Sequence, residues 1–449
     1  MTVDQSLRGT LATLEREGEL RRIEGPVARR DELSALLAAN GAGPALWFGE
    51  VEDSALPVVG NVLGTRRRIA LGLGVEVDAI QDHLLQALEH PLAPREIEHA
   101  PCQEVVCDDV DLTRLPIPWF FEHETGPYIT AGAIVARDGS DGPANLSIAR
   151  LKPLDQRRAM AGIAPNHHLA ALARRAAERG DRLPIAVTIG NHPAVLLASC
   201  LYLGLGADEL ENAGGLFGEP VEIARTPAGL AVPAHCELVL EGRLDPGESV
   251  EEGPVSEFHG MYENYGAGMV VTFERLTMRR DAVFQVIEPG RHPEHLLLGG
   301  IAIAAGLAAE LRRLMPGVVS VAVPESGAGR LAAVVSLRDD ARPGSAQRAM
   351  FAIWASVSLI RTVTVVDGDV DPWDVAEVEW ARTAYCRPDR DLLVIPGGPA
   401  DRAEPLELRG RVAKLGIDAT RKGADRADHR EAMPPADALA AARRRLGRR

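Results

Sequence analysis

From Val105 onward the chain changes character, and that change constrains the fold more than any other feature. Short β-branched and aliphatic runs at residues 129–136, 185–189, 221–224, 236–240, 270–273 and 283–286 are separated by Gly, Pro and Asp. Many short strands at close spacing predict a barrel or sandwich core. Helical patterns at 168–178 and 193–203 interrupt it. Before this region, helical spacing at 6–19 puts Leu7, Leu11 and Leu14 on one side. Further helices are predicted at 31–39 and 75–88, and strands at 45–48 and 56–59. After it, helices at 302–314 and 346–356 alternate with strands at 318–323 and 362–366. The reading is a mixed α+β and α/β multidomain chain. It has an N-terminal α/β domain over 1–104, a β-barrel-like domain over 105–300 and a C-terminal α/β domain over 301–449. The helix-prone tail at 438–446 would either dock on a partner subunit or stay solvated.

Composition narrows the function classes. Of 449 residues, 46% are apolar, enough for sizeable cores. The 64 acidic residues outnumber the 49 basic ones, for a net charge of −15, which argues against a nucleic-acid partner. Five cysteines with no C-x-x-C pair argue against a disulfide framework and fit a reducing cytoplasm. No apolar leader or membrane span is expected.

The stretch Glu251-Glu252-Gly253-Pro254-Val255-Ser256-Glu257 places two carboxylates on either side of a Gly-Pro turn. Two close carboxylates raise one pKa unless a cation lies between them, and a raised carboxyl is a proton donor near neutral pH. The plainer alternative is a solvated acidic loop. In Asn145-Leu146-Ser147-Ile148-Ala149-Arg150, strand alternation puts Asn145, Ser147 and Ala149 on one face and Arg150 on the other. An Arg beside the core needs partners, and Glu252 and Glu257 are available. Asn145, His168 and Glu209 form a mixed O/N set suited to a cation such as Mn²⁺. Read singly, Asn145 is a turn residue, His168 a helix-start residue and Glu209 a surface charge. Phe258, His259 and Met261, with the 288–292 turn, are candidates for a substrate wall, although 288–292 reads first as a surface turn.

Taken in order, these residues resemble the UbiD family of prenylated-FMN-dependent decarboxylases over most of the chain. The match includes Asp111-Leu112-Thr113-Arg114-Leu115-Pro116-Ile117-Pro118, Asn145 to Arg150, Gly214-Gly215-Leu216-Phe217-Gly218-Glu219-Pro220, the Glu252-Gly253-Pro254 stretch, Pro293-Glu294-His295 and Gly416-Ile417-Asp418-Ala419-Thr420. The resemblance implies a split β-barrel flavin domain and a reversible, non-oxidative decarboxylation through a covalent prenylated-FMN adduct. The substrate would be an aromatic, heteroaromatic or α,β-unsaturated acid. It implies Arg150, Glu252 and Glu257 as the catalytic network. Asn145, His168 and Glu209 would be Mn²⁺ ligands, with K⁺ adjacent and His167 the alternative to His168. Ser147, Ile148, Ala149, Arg150, Ser199 and Cys200 would lie on the flavin, and Arg361 on its phosphate in place of a Lys. It also implies a flavin prenyltransferase as cofactor supplier and a homodimer or larger homo-oligomer. The chain departs from the family at Val255-Ser256 and Gly260-Met261, beside the reacting centre, and at Tyr385. Two other readings are an FMN oxidoreductase on a β-barrel fold and a non-catalytic flavin-binding assembly protein.

Overall fold

The structure, a computed structural model, describes residues 3–139, 142, 144–338, 343–421 and 432–446. The chain opens with the helix Leu7–Arg16, whose Leu7, Leu11 and Leu14 are buried as their spacing predicts. Ser6 caps it, its hydroxyl accepting from the Gly9 N–H at 3.2 Å. Strands Leu20–Val27, Ala45–Val51 and Val58–Gly60 form the first sheet. Its fourth strand is Phe284–Val286, parallel to Val58–Gly60, so the chain returns from the middle region to complete the N-terminal layer.

The middle region builds an eight-stranded sheet. Its strand order runs Ala144–Ile148, Ala133–Arg137, Leu183–Ile189, Leu238–Glu251, Ala267–Met278, Arg158–Gly162 and Arg150–Pro153, with Val105–Cys107 paired to Ala267–Met278. Every pairing is antiparallel. The strands at the two ends of this order, Ala144–Ile148 and Arg150–Pro153, are consecutive in the chain with only Ala149 between them. The sheet therefore curls until its edges meet at Ala149, a half-barrel whose seam carries the Asn145 to Arg150 motif. The strand read at 236–240 is really Leu238–Glu251. It runs through Asp245-Pro246-Gly247 by means of a bulge, a register shift between Asp245 and Ser249.

The C-terminal region is a five-stranded sheet with order Val318–Ala322, Ala332–Leu337, Thr362–Asp367, Arg411–Asp418, Leu392–Pro399. The three inner strands are parallel and the two edges antiparallel. The helix read at 302–314 begins earlier and spans Pro293–Leu314. Pro293 suits a first helical position, and His292 caps it, Nδ1 accepting from the Glu294 N–H at 3.4 Å. Gly299 and Gly300 do not break it. A Cβ at Gly300 would lie 2.4 Å from the Val323 carbonyl oxygen, so the glycine permits close packing there. One part of this helix joins the core built around the N-terminal helix and the other joins the C-terminal core. It is long and apolar enough to cross a membrane, but 78% of its most apolar window is buried in the fold, which makes it a core helix. The tail helix Ala436–Arg445 forms, with no buried residue.

Candidate active site

A cavity of about 640 Å³ opens where the sheet seam, the start of the Pro293–Leu314 helix and C-terminal loops meet. Asn145 through Arg150 all line it. The alternation argument separated Arg150 from Asn145 and Ser147. The strand breaks at Ala149, so Arg150 starts a new strand and reaches the same cavity.

Arg150 holds Glu252 in a two-pronged pair: Nε donates to Oε1 at 2.5 Å and Nη2 to Oε2 at 2.7 Å. Its Nη1 lies 3.6 Å from Glu257 Oε1. Burial alone would lower the Arg150 pKa, but the hydrogen bond and charge of Glu252 outweigh it and hold the guanidinium above its ordinary value. The cation required between the two carboxylates is thus Arg150. Glu252 is only 2% exposed, while Glu257 faces the cavity. The turn between them needs Gly253, which has φ +80 and packs so that a Cβ would sit 2.7 Å from Thr125 Cγ2. Lys152, also buried, donates to the Glu252 carbonyl at 2.5 Å and to Thr125 Oγ1 at 2.9 Å, which fixes the backbone of the turn. Glu124 accepts from both the Ser256 N–H at 3.2 Å and its hydroxyl at 2.8 Å. The solvated-loop alternative does not hold, because Glu252 is buried.

At the other end of the seam, Glu209 opens the helix Glu209–Phe217, capped by Asp208. One Glu209 oxygen accepts from the Leu146 N–H at 2.8 Å and the other from Asn145 Nδ2 at 3.2 Å. The carboxyl is 3% exposed, and burial pushes it up to about 7 against the hydrogen bond from Leu146. His168 is the first residue of the helix His168–Glu178 and lines the same cavity. His167 also lines it, but its Nδ1 accepts from the Leu169 N–H at 3.4 Å as a helix cap, and burial lowers its pKa. Among the described residues no three His, Cys, Asp or Glu gather into a metal cluster. Asn145 and Glu209 touch, and His168 lines the same cavity. A buried carboxyl group bonded to an amide, with an imidazole elsewhere on the same cavity wall, fits a divalent ion.

Ser147, Ile148, Ala149, Ser199 and Cys200 line the cavity. Ser199 donates to the Leu196 carbonyl at 2.7 Å, and burial pushes the Cys200 thiol up to about 11. Arg361 does not line it. Its Nη1 donates to the buried Glu404 at 2.6 Å. Among the substrate-wall candidates Phe258 lines the cavity, His259 does not, and Met261 is 50% exposed. The 288–292 turn, read as surface, is largely buried, with Glu288 at 1% and His292 at 5% exposure, and Pro289 reaches the cavity. Sequence reasoning missed Tyr265, His295, Arg330 and Arg402, all on the wall. Tyr265 lies between Arg150 and Arg402, whose guanidinium carbons are 5.4 and 4.4 Å from its ring centroid. The Pro293-Glu294-His295 motif was the one available signal for His295.

Three family descriptions match the chain in order: the N-terminal domain of 3-octaprenyl-4-hydroxybenzoate carboxy-lyase at residues 11–88, its Rift-related domain at 95–292 and its C-terminal domain at 296–419. Among solved structures, the UbiD-class enzyme HmfF from Pelotomaculum thermopropionicum in complex with FMN is 36% identical. It covers 97% of this chain and 99% of its own, with a TM-score of 0.91. The 3,4-dihydroxybenzoic acid decarboxylase AroY of Klebsiella pneumoniae is 27% identical, with a TM-score of 0.89 over 96% of this chain and 97% of its own. Vanillic acid decarboxylase of Sedimentibacter hydroxybenzoicus in its closed form is 28% identical, with a TM-score of 0.86 over 100% of both chains.

Proposed function

Because the chain belongs to the UbiD family of carboxy-lyases, we propose that it decarboxylates an acid whose carboxylate sits on an sp² carbon, with prenylated FMN held in the cavity. The curled sheet would then be the family's split-barrel flavin domain. The observation that carries the reading is the Arg150 guanidinium paired to Glu252 and 3.6 Å from Glu257 at the cavity wall. Losing CO₂ from an sp² carbon leaves an electron pair there, and bound flavin would supply the electron sink that no side chain offers.

This chain's residues do the rest. Arg150 orients the substrate carboxylate and stays charged because Glu252 lies behind it. The C–C bond breaks, CO₂ leaves, and the electron pair stays on the ring or alkene carbon. Glu257 delivers a proton to that carbon. Asn145, His168 and Glu209 would hold Mn²⁺ or another divalent ion, with K⁺ alongside, to anchor the flavin phosphate. The named acids of AroY and vanillic acid decarboxylase are aromatic and support the aromatic end of the substrate range. A heteroaromatic or α,β-unsaturated acid satisfies the same electronic requirement.

The reading includes a separate flavin prenyltransferase, a cytoplasmic setting and a homo-oligomer. Val394 on the edge strand Leu392–Pro399 and Leu406 and Leu408 in the segment after it, 59%, 66% and 74% exposed, support assembly through the C-terminal region. The test is co-expression with a flavin prenyltransferase, followed by cofactor mass and CO₂ release from a panel of aromatic, heteroaromatic, enoic and saturated acids. Prenylated FMN with turnover confined to sp²-linked acids is expected. Turnover of a saturated acid, or plain FMN with NADH oxidation, would refute it.

A further inference from the structure

Among the described residues Arg330 and Arg402 are the cavity-lining guanidiniums tied to no carboxylate, and of the lining arginines only Arg330 has a buried nitrogen without a partner. Arg150 is committed to Glu252 and Glu257. Arg402 stacks on Tyr265. Arg330 Nη1 is buried and has no hydrogen-bond partner among the described residues. Asp401, on the same wall, spends Oδ1 on the Ala403 N–H at 3.0 Å. A shielded guanidinium without a counter-charge is costly, and an anion entering the cavity would relieve that cost.

The surroundings hold the group in place. Its guanidinium carbon lies 5.1 Å from the ring centroid of Phe258, the residue after Glu257. Gly299, on the Pro293–Leu314 helix, leaves the room it needs, since a Cβ there would come within 2.6 Å of Nη2. One turn earlier on the helix, His295 Nδ1 lies 3.1 Å from the Gly290 carbonyl. A carbonyl only accepts, so Nδ1 carries the hydrogen and Nε2 is left as an acceptor. Burial, followed by the charge of Arg330, pushes His295 down to about 3, which keeps this tautomer neutral.

We propose, on the decarboxylase reading above, that Arg330 binds a second anionic group on the substrate, distinct from the carboxylate that leaves. The acid is therefore of the dicarboxylate class or carries another ionised oxygen. His295 Nε2 accepts from any O–H or N–H donor beside that group. Arg330 is a specificity residue here: it sets which acids bind, while Arg150 and Glu257 act on the bond that breaks.

The experiment titrates flavin-loaded wild-type, Arg330→Gln and Arg330→Lys enzymes calorimetrically with terephthalate, isophthalate and benzoate, with flavin content and thermal midpoint measured in parallel. Wild type is expected to prefer a dicarboxylate to benzoate. Arg330→Gln should lose on the order of 100-fold in affinity for the dicarboxylate, benzoate should change by less than about threefold, and Arg330→Lys should recover part of the loss. Flavin content should not change. Equal losses for mono- and dicarboxylates, no loss at all, or loss of flavin from Arg330→Gln would overturn the proposal, the last assigning Arg330 to the cofactor. A dianion preference that depends on Arg330, in an enzyme that releases no CO₂, would instead sink the decarboxylase reading and keep this one.

Discussion

Replacing Glu288 with Gln changes the pH dependence of stability in a way the structure predicts. Glu288 is 1% exposed. Ser34 Oγ donates to Oε1 at 2.7 Å, and Oε2 has no partner among the described residues. Burial raises its pKa from 4.5 to about 8, with the charge of Glu124 adding to the effect. Between those values the folded protein keeps a proton that the unfolded chain has released. The unfolded state then binds fewer protons, so this residue makes stability fall as pH rises through that window, with no further change above about 8. At about 1.4 kcal/mol per pH unit the whole window is worth roughly 5 kcal/mol, as an order of magnitude. Gln cannot ionise, so Glu288→Gln should lack this slope, whatever constant offset its amide adds. Apart from Glu124 and Glu294, whose charges couple to Glu288, the other titrating groups contribute equally to both proteins, so this residue dominates the difference. The assay is urea unfolding of flavin-free wild type and variant at intervals from about pH 5 to 9. The difference should grow in favour of the variant by about 1.4 kcal/mol per pH unit and level off near pH 8. A difference independent of pH would refute the reasoning.

Two further outcomes follow from the seam. Arg150→Lys keeps the charge but loses the two-pronged grip on Glu252, so kcat/KM should fall by about 100-fold or more and the thermal midpoint should drop, as steady-state kinetics and calorimetry can check. His168→Ala and Glu209→Ala should each lower metal content and flavin retention together, measured by elemental analysis and absorbance; a normal metal content in His168→Ala alone would move that ligand to His167.

Local patterns in the sequence carried much of this. Leu7, Leu11 and Leu14 announced the first helix, and the Gly-Pro pair announced the turn that aims Glu252 and Glu257. The readings that failed were ones decided by contacts distant in sequence. The strand reading stops at residue 240, yet pairing with Ala267–Met278 carries the strand through Asp245-Pro246-Gly247 as a bulge. Gly299 and Gly300 precede the predicted helix start at 302, yet they lie inside the helix, where Arg330 and the Val323 carbonyl approach. Parity along 145–150 put Arg150 on the wrong face because the break at Ala149 is set by the closure of the sheet. Arg361 was placed on the phosphate by the family resemblance alone, and nothing local in the sequence reveals its pairing with the buried Glu404. Arg330 was missed for the reverse reason, since a lack of partners has no sequence pattern.

The central claim is that Glu257 supplies the proton to the carbon that CO₂ has left. The most direct measurement compares wild type with Glu257→Gln, both loaded with prenylated FMN, in D₂O with a turned-over acid. CO₂ release, deuterium at the vacated carbon and flavin content are scored together. Wild type should release CO₂ and place one deuterium on that carbon, while Glu257→Gln should retain its flavin and lose turnover by at least about 100-fold, the scale of a positioned general acid. Wild-type turnover in Glu257→Gln would contradict the account.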